Sequence, residues 1–579
     1  MNSFDSMRMK IIQPLFFFAL AVIAMNACKL SNKDASAIST DPATIAAGEA
    51  AFIQKCSGCH NFKMDGIGPQ LGGVTQAESA DWLLKFIHDP KATISSGDAH
   101  ATELFNKYHL VMPSFSSVSD SEVHAIIAFL HTHPKPGAAD AKDDSNAIAN
   151  PIPTAIPVSD VVTNLEWVAT IPSSSKDGKL PLTRIVSMSY RPDHAGPFIL
   201  DQRGKLYKME AGRPMVYMDM AAVMPKFINE PGLATGFGSF AFHPDFMKNG
   251  LFYTSHSESP NSAKADFSFE DSIKPAMQWV VTEWKTNQPS ASVFSGTPRE
   301  ILRIDMVTGI HGMQQITFNP LSKSGDEDYG LLYIGIGDGG AVENGYGHLA
   351  HNLEKLWGTV IRIDPAGRNS ANGKYGIPPA NPLASNAAPQ IKKEIYAYGF
   401  RNPNRITWTK SGQLLVSNIG HSNIESMNLI EKGHDYGWPI REGNFLLNPY
   451  GNITKVHPLP SDDSIYHVTY PVVEFDHDEG KAISAGFEYL GQSVPALQGK
   501  FVFGDIPSGR LFFVAVSDLK QGHQAPIMEW KVAIKGMVKP MREISGADRV
   551  DLHFGRDEQG EIYILTKPDG KIYKITKGN

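Results

Sequence analysis

Three cysteines in 579 residues leave no room for a disulfide framework, so the folded chain is held by its own core. Four-thiolate structural zinc is excluded for the same reason. Basic blocks are missing as well. The 53 Lys and Arg are dispersed among 60 Asp and Glu, for a net charge of −7, and nucleic acid is not an expected partner. Long apolar runs are also absent. Leu15 to Met25 falls short of the ~20 helical residues that cross a bilayer, and no later run is longer or more apolar. Turn formers and aromatics are plentiful: 51 Gly, 39 Pro and 10% aromatic residues predict a turn-rich β protein over most of the length.

The placement of the cysteines is informative. Arg8 and Lys10 followed by the Leu15–Met25 run read as an export signal. Ala27-Cys28 at its end resembles the lipobox of bacterial lipoproteins, with Met25 and Asn26 departing from the usual residues. That resemblance implies lipidation of Cys28 and an exported, envelope or periplasmic protein anchored to a membrane. The other two cysteines form Cys56-Ser-Gly-Cys59-His60. This spacing is that of c-type haem attachment: two thioethers to the porphyrin and an imidazole, His60, held where it must ligate iron. A thioredoxin-type redox pair would need a βαβ context, whereas the flanks here read as helical.

Composition divides the chain into a signal segment 1–27, a polar tether 28–42, a haem module 43–133, a Pro- and Ala-rich linker 134–160 and one large β domain 161–579. In the haem module, Thr44 to Lys55 has a helical pattern. Ser119-Asp-Ser-Glu122 is a capping box opening a helix with Val123, Ile126, Ile127 and Leu130 on its core face. The module resembles a small class I cytochrome c, and Gly68-Pro69-Gln70-Leu71 matches that family's loop, whose proline carbonyl accepts a hydrogen bond from the proximal histidine. The resemblance makes Met112, in Val-Met-Pro-Ser-Phe, the expected second axial ligand. Met64, His88, His100 and His109 are its rivals.

In the large domain, strand phrases recur six times, among them Gly204-Lys-Leu-Tyr-Lys-Met209 and Gly570-Lys-Ile-Tyr-Lys-Ile575. They read as blade hairpins of an all-β six-bladed propeller of about 70 residues per blade. The near-identity of the early and late phrases suggests that the ring closes on itself.

Ser239-Phe-Ala-Phe-His243-Pro-Asp-Phe246, Gly335-Ile-Gly-Asp338-Gly-Gly340, Tyr398-Gly-Phe-Arg401-Asn402-Pro403, Asp435-Tyr-Gly-Trp438-Pro439 and Met541-Arg542-Glu543 together resemble the glucose/sorbosone dehydrogenase family. That family implies a propeller using pyrroloquinoline quinone (PQQ) and Ca2+ to oxidise sugars. By this resemblance His243 is the catalytic base, and Arg401, Asn402, Trp438 and Arg542 border the quinone and substrate. The chain departs from the family pattern at Phe400 and Pro540. It also lacks a lysine at Ser508 and an arginine soon after Asp338.

The combined expectation is a quinohaemoprotein that oxidises a sugar or polyol hydroxyl and passes electrons through haem c to a respiratory acceptor. Two alternatives are a carbohydrate- or protein-binding propeller beside an independent electron relay, and a metal-dependent lactonase. The lactonase would need a carboxylate-rich metal site, and Glu474, Asp476, Asp478 and Glu479 are the one dense acidic group.

Overall fold

The computed structural model describes residues 38–63, 65, 67–108, 111–135 and 146–577. The export segment, Cys28, Met64 and His109 lie outside the described residues. The chain forms two compact units: residues 1–51 with 71–136, and residues 52–70 with 137–579.

The first unit is helical. Its elements include Ala80–His88, Pro90–Ser95, Ala99–Tyr108 and Asp120–His131. Local chemistry sets their starts. Ser79, Asp89 and Ser119 each accept a hydrogen bond from a backbone amide of the first turn, satisfying donors that have no partner inside the helix. Val123, Ile126, Ile127 and Leu130 are buried, as their spacing predicts. Gly48, on the helix Pro42–Lys55, packs against the backbone of Ala125; a Cβ there would lie 1.9 Å from the Ala125 carbonyl oxygen.

The second unit is built on six four-stranded antiparallel blades. They begin with Ile185–Ser189, Phe237–Phe242, Gln315–Phe318, Pro403–Trp408, Ile483–Glu488 and Leu552–Arg556. Their buried runs explain the strands: Phe-Gly-Ser-Phe-Ala-Phe in the second blade is wholly buried and packs on both faces. The sixth blade takes its outer strand from the start of the domain. Val158–Thr170 pairs antiparallel with Lys571–Lys577, so the late Gly570-Lys-Ile-Tyr-Lys-Ile575 phrase meets residues 163–170, not its early look-alike. Hydrophobic clusters lie between blades one and two, two and three, three and four, four and five, five and six, and six and one. Side-chain packing therefore closes the ring, although the blade ladders do not form one continuous sheet.

Residues 146–157, read from composition as linker, lie along the β unit. Ile148 bridges Val456, and the amides of Ile152 and Ile156 donate to Asp476 and Glu479. Asn150 donates to Asp478 and Asn444 to Glu474. The four acids considered for a lactonase metal thus accept hydrogen bonds from the chain itself. Among the described residues, no helix is long and apolar enough to cross a membrane.

Candidate functional site

The haem-attachment segment belongs to the second unit. The helix ending at Lys55 delivers Cys56 and Cys59, which form no disulfide, and His60. His60 Nδ1 lies 2.8 Å from the Pro69 carbonyl oxygen. A carbonyl only accepts, so Nδ1 carries the proton and Nε2 keeps its lone pair for a metal. Gly68 makes room for this: a Cβ there would lie 2.4 Å from His60 Cε1. The donor set fits haem c, with Cys56 and Cys59 as thioethers and His60 Nε2 on iron. In the first unit, Met112 is half-buried on the stretch before Asp120–His131. Its rival His88 has both ring nitrogens engaged, with the Phe115 carbonyl at 3.2 Å and Asp120 at 3.0 Å. His100 lies 3.6 Å from Glu78 and against the Trp82 ring.

Four loops of the propeller meet around Asp338. His311, between the second and third blades, has Nδ1 2.7 Å from Asp338 Oδ1. The Trp438 indole N–H donates to Asp338 Oδ2 at 2.9 Å, and the Gly340 amide donates to Oδ1 at 2.9 Å. A fully buried carboxylate held in this way makes His311 Nδ1 the protonated nitrogen and leaves Nε2 as the acceptor. Beside the dyad, Arg401 and Glu343 form a buried pair, with Nη2 2.5 Å from Oε1. Arg401 also donates to the Gly420 carbonyl, and its guanidinium lies 5.8 Å from the Trp438 ring centroid. His421 Nδ1 is 3.3 Å from the same Glu343 oxygen. Burial would raise the Glu343 carboxyl, but Arg401 and His421 outweigh it and hold it well below its ordinary value. Glu343 Oε2 and His421 Nε2 are buried without a hydrogen-bond partner.

The haem-attachment loop abuts this cluster. Asn344 Nδ2 donates to the Ser57 carbonyl at 3.2 Å, and a Cβ on Gly58 would lie 3.0 Å from Ile310. Asn344 and Ile310 are immediate sequence neighbours of Glu343 and His311. Cys59 also lies within the fields of Glu343, Arg549 and Arg401.

The structure thus brings together Arg401 and Trp438 from the sequence-predicted set, while Asn402 is buried next to Arg401 in the chain, with its backbone amide donating to Asn418 Oδ1. It places His243 and Arg542 elsewhere. His243 follows the far end of Phe237–Phe242 and packs edge-on against Phe318, at the end of the strand whose start follows His311. Its Nδ1 accepts hydrogen bonds from the Asp245 amide (3.0 Å) and Asn249 Nδ2 (2.8 Å), so it closes the Pro-Asp turn. Burial pushes its imidazolium down. Arg542 is exposed on the short helix Met541–Ser545. The residues that sequence reading missed are His311, Glu343 and His421. Gly335-Ile-Gly-Asp338-Gly-Gly340 carried the one signal that points to them.

A triply charged quinone needs cations, and Arg401 has spent its charge on Glu343. Others are available toward the propeller axis. Arg405 donates to the Gln314 and Val186 carbonyls and to His553, with no carboxylate partner among the described residues. Lys567 and Arg549 lie in the same field. The residues present therefore fit a polycarboxylate, through a set that the sequence resemblance did not name. Calcium fits less well. His311, Asp338 and Glu343 are the one group of three candidate ligands lying within 4.8 Å of one another among the described residues, but Ca2+ takes oxygen and this set includes an imidazole and a carboxylate already paired with arginine.

A six-bladed ring with a histidine–carboxylate dyad and an adjoining haem-attachment loop is the fold and site of a propeller joined to a cytochrome. Residues 182–574 match the Glucose / Sorbosone dehydrogenase family and residues 45–134 match Cytochrome c. The chain belongs to the glucose/sorbosone dehydrogenase family, fused to a cytochrome c domain. It is 26% identical over 446 residues to HIPL2 protein of Arabidopsis thaliana, covering 68% of this chain and 61% of that one. It is 26% identical over 386 residues to Hedgehog-interacting protein of Homo sapiens, covering 65% and 47%. It is 22% identical over 395 residues to aldose sugar dehydrogenase YliI of Escherichia coli, covering 68% and 90%. The chain thus spans only about half to three fifths of the HIPL and Hedgehog-interacting relatives. The crystal structure of the soluble E. coli aldose sugar dehydrogenase aligns over 72% of this chain and 99% of its own, at 17% identity and a TM-score of 0.48.

Proposed function

We propose that this chain is an exported, lipid-anchored, cytochrome-linked dehydrogenase that uses PQQ to oxidise a sugar or polyol hydroxyl and releases the electrons through haem c to a respiratory acceptor. The observation that carries the reading is the contact of the haem-attachment loop with the immediate neighbours of His311 and Glu343. Electrons released at the dyad would have a carrier beside them.

His311 supplies the base. With Nδ1 committed to Asp338, its Nε2 is free to take the hydroxyl proton as the carbon is oxidised. Asp338 holds the tautomer and balances the imidazolium that forms. Trp438 fixes the second Asp338 oxygen and so the ring plane. Bound PQQ supplies a two-electron acceptor, and bound haem c a one-electron outlet. The Hedgehog-interacting relative suggests a binding protein instead, but a pure binding role gives the neighbouring haem loop nothing to do. The test is a panel of aldoses, polyols and alcohols added to haem-loaded protein with PQQ, with and without Ca2+, while the haem absorbance is recorded. Substrate- and quinone-dependent reduction supports the proposal, and no reduction across the panel refutes it.

A further inference from the structure

Toward the propeller axis, Arg405 and Lys567 have no carboxylate hydrogen-bonded or ion-paired to them among the described residues. Arg405 and His553 sit on the first strands of the fourth and sixth blades, where blades face the centre. Arg184 immediately precedes the first strand of blade one, and Lys567 immediately follows Ile562–Thr566 of blade six. Hydrogen bonds tie these elements together. Arg405 Nη2 donates to the Val186 carbonyl at 2.8 Å and lies 3.2 Å from His553 Nδ1. The Thr183 amide and hydroxyl donate to the Lys567 carbonyl at 3.1 and 3.0 Å.

The donors and acceptors do not balance. Arg405 only donates, so His553 Nδ1 is the acceptor and Nε2 carries the hydrogen. That Nε2–H is buried without a partner, on a side chain only 3% exposed. The Lys567 ammonium makes no hydrogen bond or ion pair among the described residues, yet keeps partial exposure while surrounded by protein, as a group on a channel wall does. Arg184 is steadied by the Asn229 carbonyl and, at 3.5 Å, by the largely exposed Glu230. The carboxylate facing Lys567 is Asp551, which Arg549 already engages at 2.7 Å. Leaving such groups without acceptors costs free energy that a ligand bearing several acceptor oxygens would recover.

We infer that Arg405, Lys567 and the His553 Nε2–H form an axial seat for a small polycarboxylate, with Arg549 and Arg184 at its margin. This inference adds anion-holding residues to the proposed quinone site, yet it can be judged without that reading because any small polycarboxylate tests it. Burial pushes the Lys567 ammonium down to about 8, with Asp551 opposing and Arg549, Arg184 and Arg405 assisting. A bound polyanion should restore its proton, so binding near pH 8.5 should take up protons.

The experiment is calorimetric titration of the full haem-loaded protein with citrate and, separately, with PQQ, in two buffers of different ionisation enthalpy and at two salt concentrations. Lys567→Met and Arg549→Gln are run alongside, with folding checked by haem absorbance and thermal melting. The seat predicts citrate binding with proton uptake, at least tenfold weakening in high salt, and at least tenfold loss in Lys567→Met with a smaller loss in Arg549→Gln. Citrate binding without PQQ binding would keep the seat and remove the quinone from the proposed function. PQQ binding at full strength in a folded Lys567→Met would keep the quinone and overturn the seat, as would the absence of citrate binding to the wild type.

Discussion

Arg401 and Glu343 form an ion pair almost sealed from solvent, with side chains 2% and 8% exposed and Nη2 2.5 Å from Oε1. The pair neutralises the arginine that family resemblance offers to a cofactor carboxylate. Its disruption leaves an uncompensated buried charge, which costs several kcal/mol in other proteins. Glu343→Gln should therefore lower stability by about 3 kcal/mol, read as a fall in the melting temperature of the haem-loaded protein. An unchanged melting temperature would show that the pair is not formed in solution.

The same carboxylate sets an acid dependence. Its folded pKa lies below the ordinary value of 4.5, so its contribution to stability is present above about pH 4.5 and is lost as pH falls toward the folded value. Acid unfolding of the wild type should be steeper below pH 4.5 than that of Glu343→Gln. Denaturant midpoints measured at half-unit pH intervals give the comparison, and parallel curves would contradict the assignment.

Asp338 is predicted to act through His311. Asp338→Asn replaces an acceptor with an amide that can stabilise the wrong imidazole tautomer. A fall in kcat of the order of 10²- to 10⁴-fold is expected, with a shifted pH profile and an unaltered haem spectrum. A loss confined to KM would assign Asp338 to substrate binding.

Haem retention separates the axial residues. His60→Ala should abolish the normal haem spectrum, because His60 Nε2 is the nitrogen left free by Pro69. Met112→Ala, if Met112 is the second ligand, should keep the covalent haem and lower its reduction potential, since a thioether favours Fe(II). Potentiometric titration measures this, and an unmoved potential would assign the second position to another residue.

Contiguity decided what could be read from the sequence. Cys56, Cys59 and His60 act as a unit within five residues, and their chemistry was plain. The blade phrases repeat, so the propeller was legible, as was the Pro69 bond to His60. The strand that completes the sixth blade was not, because Val158–Thr170 meets Lys571–Lys577 from the other end of the domain. The dyad was harder still. His311 and Asp338 lie 27 residues apart on loops of no regular pattern, joined only by the third blade's path. His243 stood out because Phe-His-Pro-Asp-Phe is compact. That compactness belongs to a turn, in which Asp245 and Asn249 occupy the nitrogen a base would need oriented. Arg401 was identified by its motif, but its buried partner Glu343, 58 residues away, was visible only in three dimensions.

The most direct test of the account is anaerobic stopped-flow absorbance of the haem after mixing PQQ-loaded protein with an oxidisable sugar or polyol, for wild type, His311→Ala and His243→Ala. The account predicts rapid substrate-dependent haem reduction in the wild type and in His243→Ala, slowed at least a hundredfold in His311→Ala. Reduction that survives loss of His311 and vanishes with His243, or that never depends on added substrate, would contradict it.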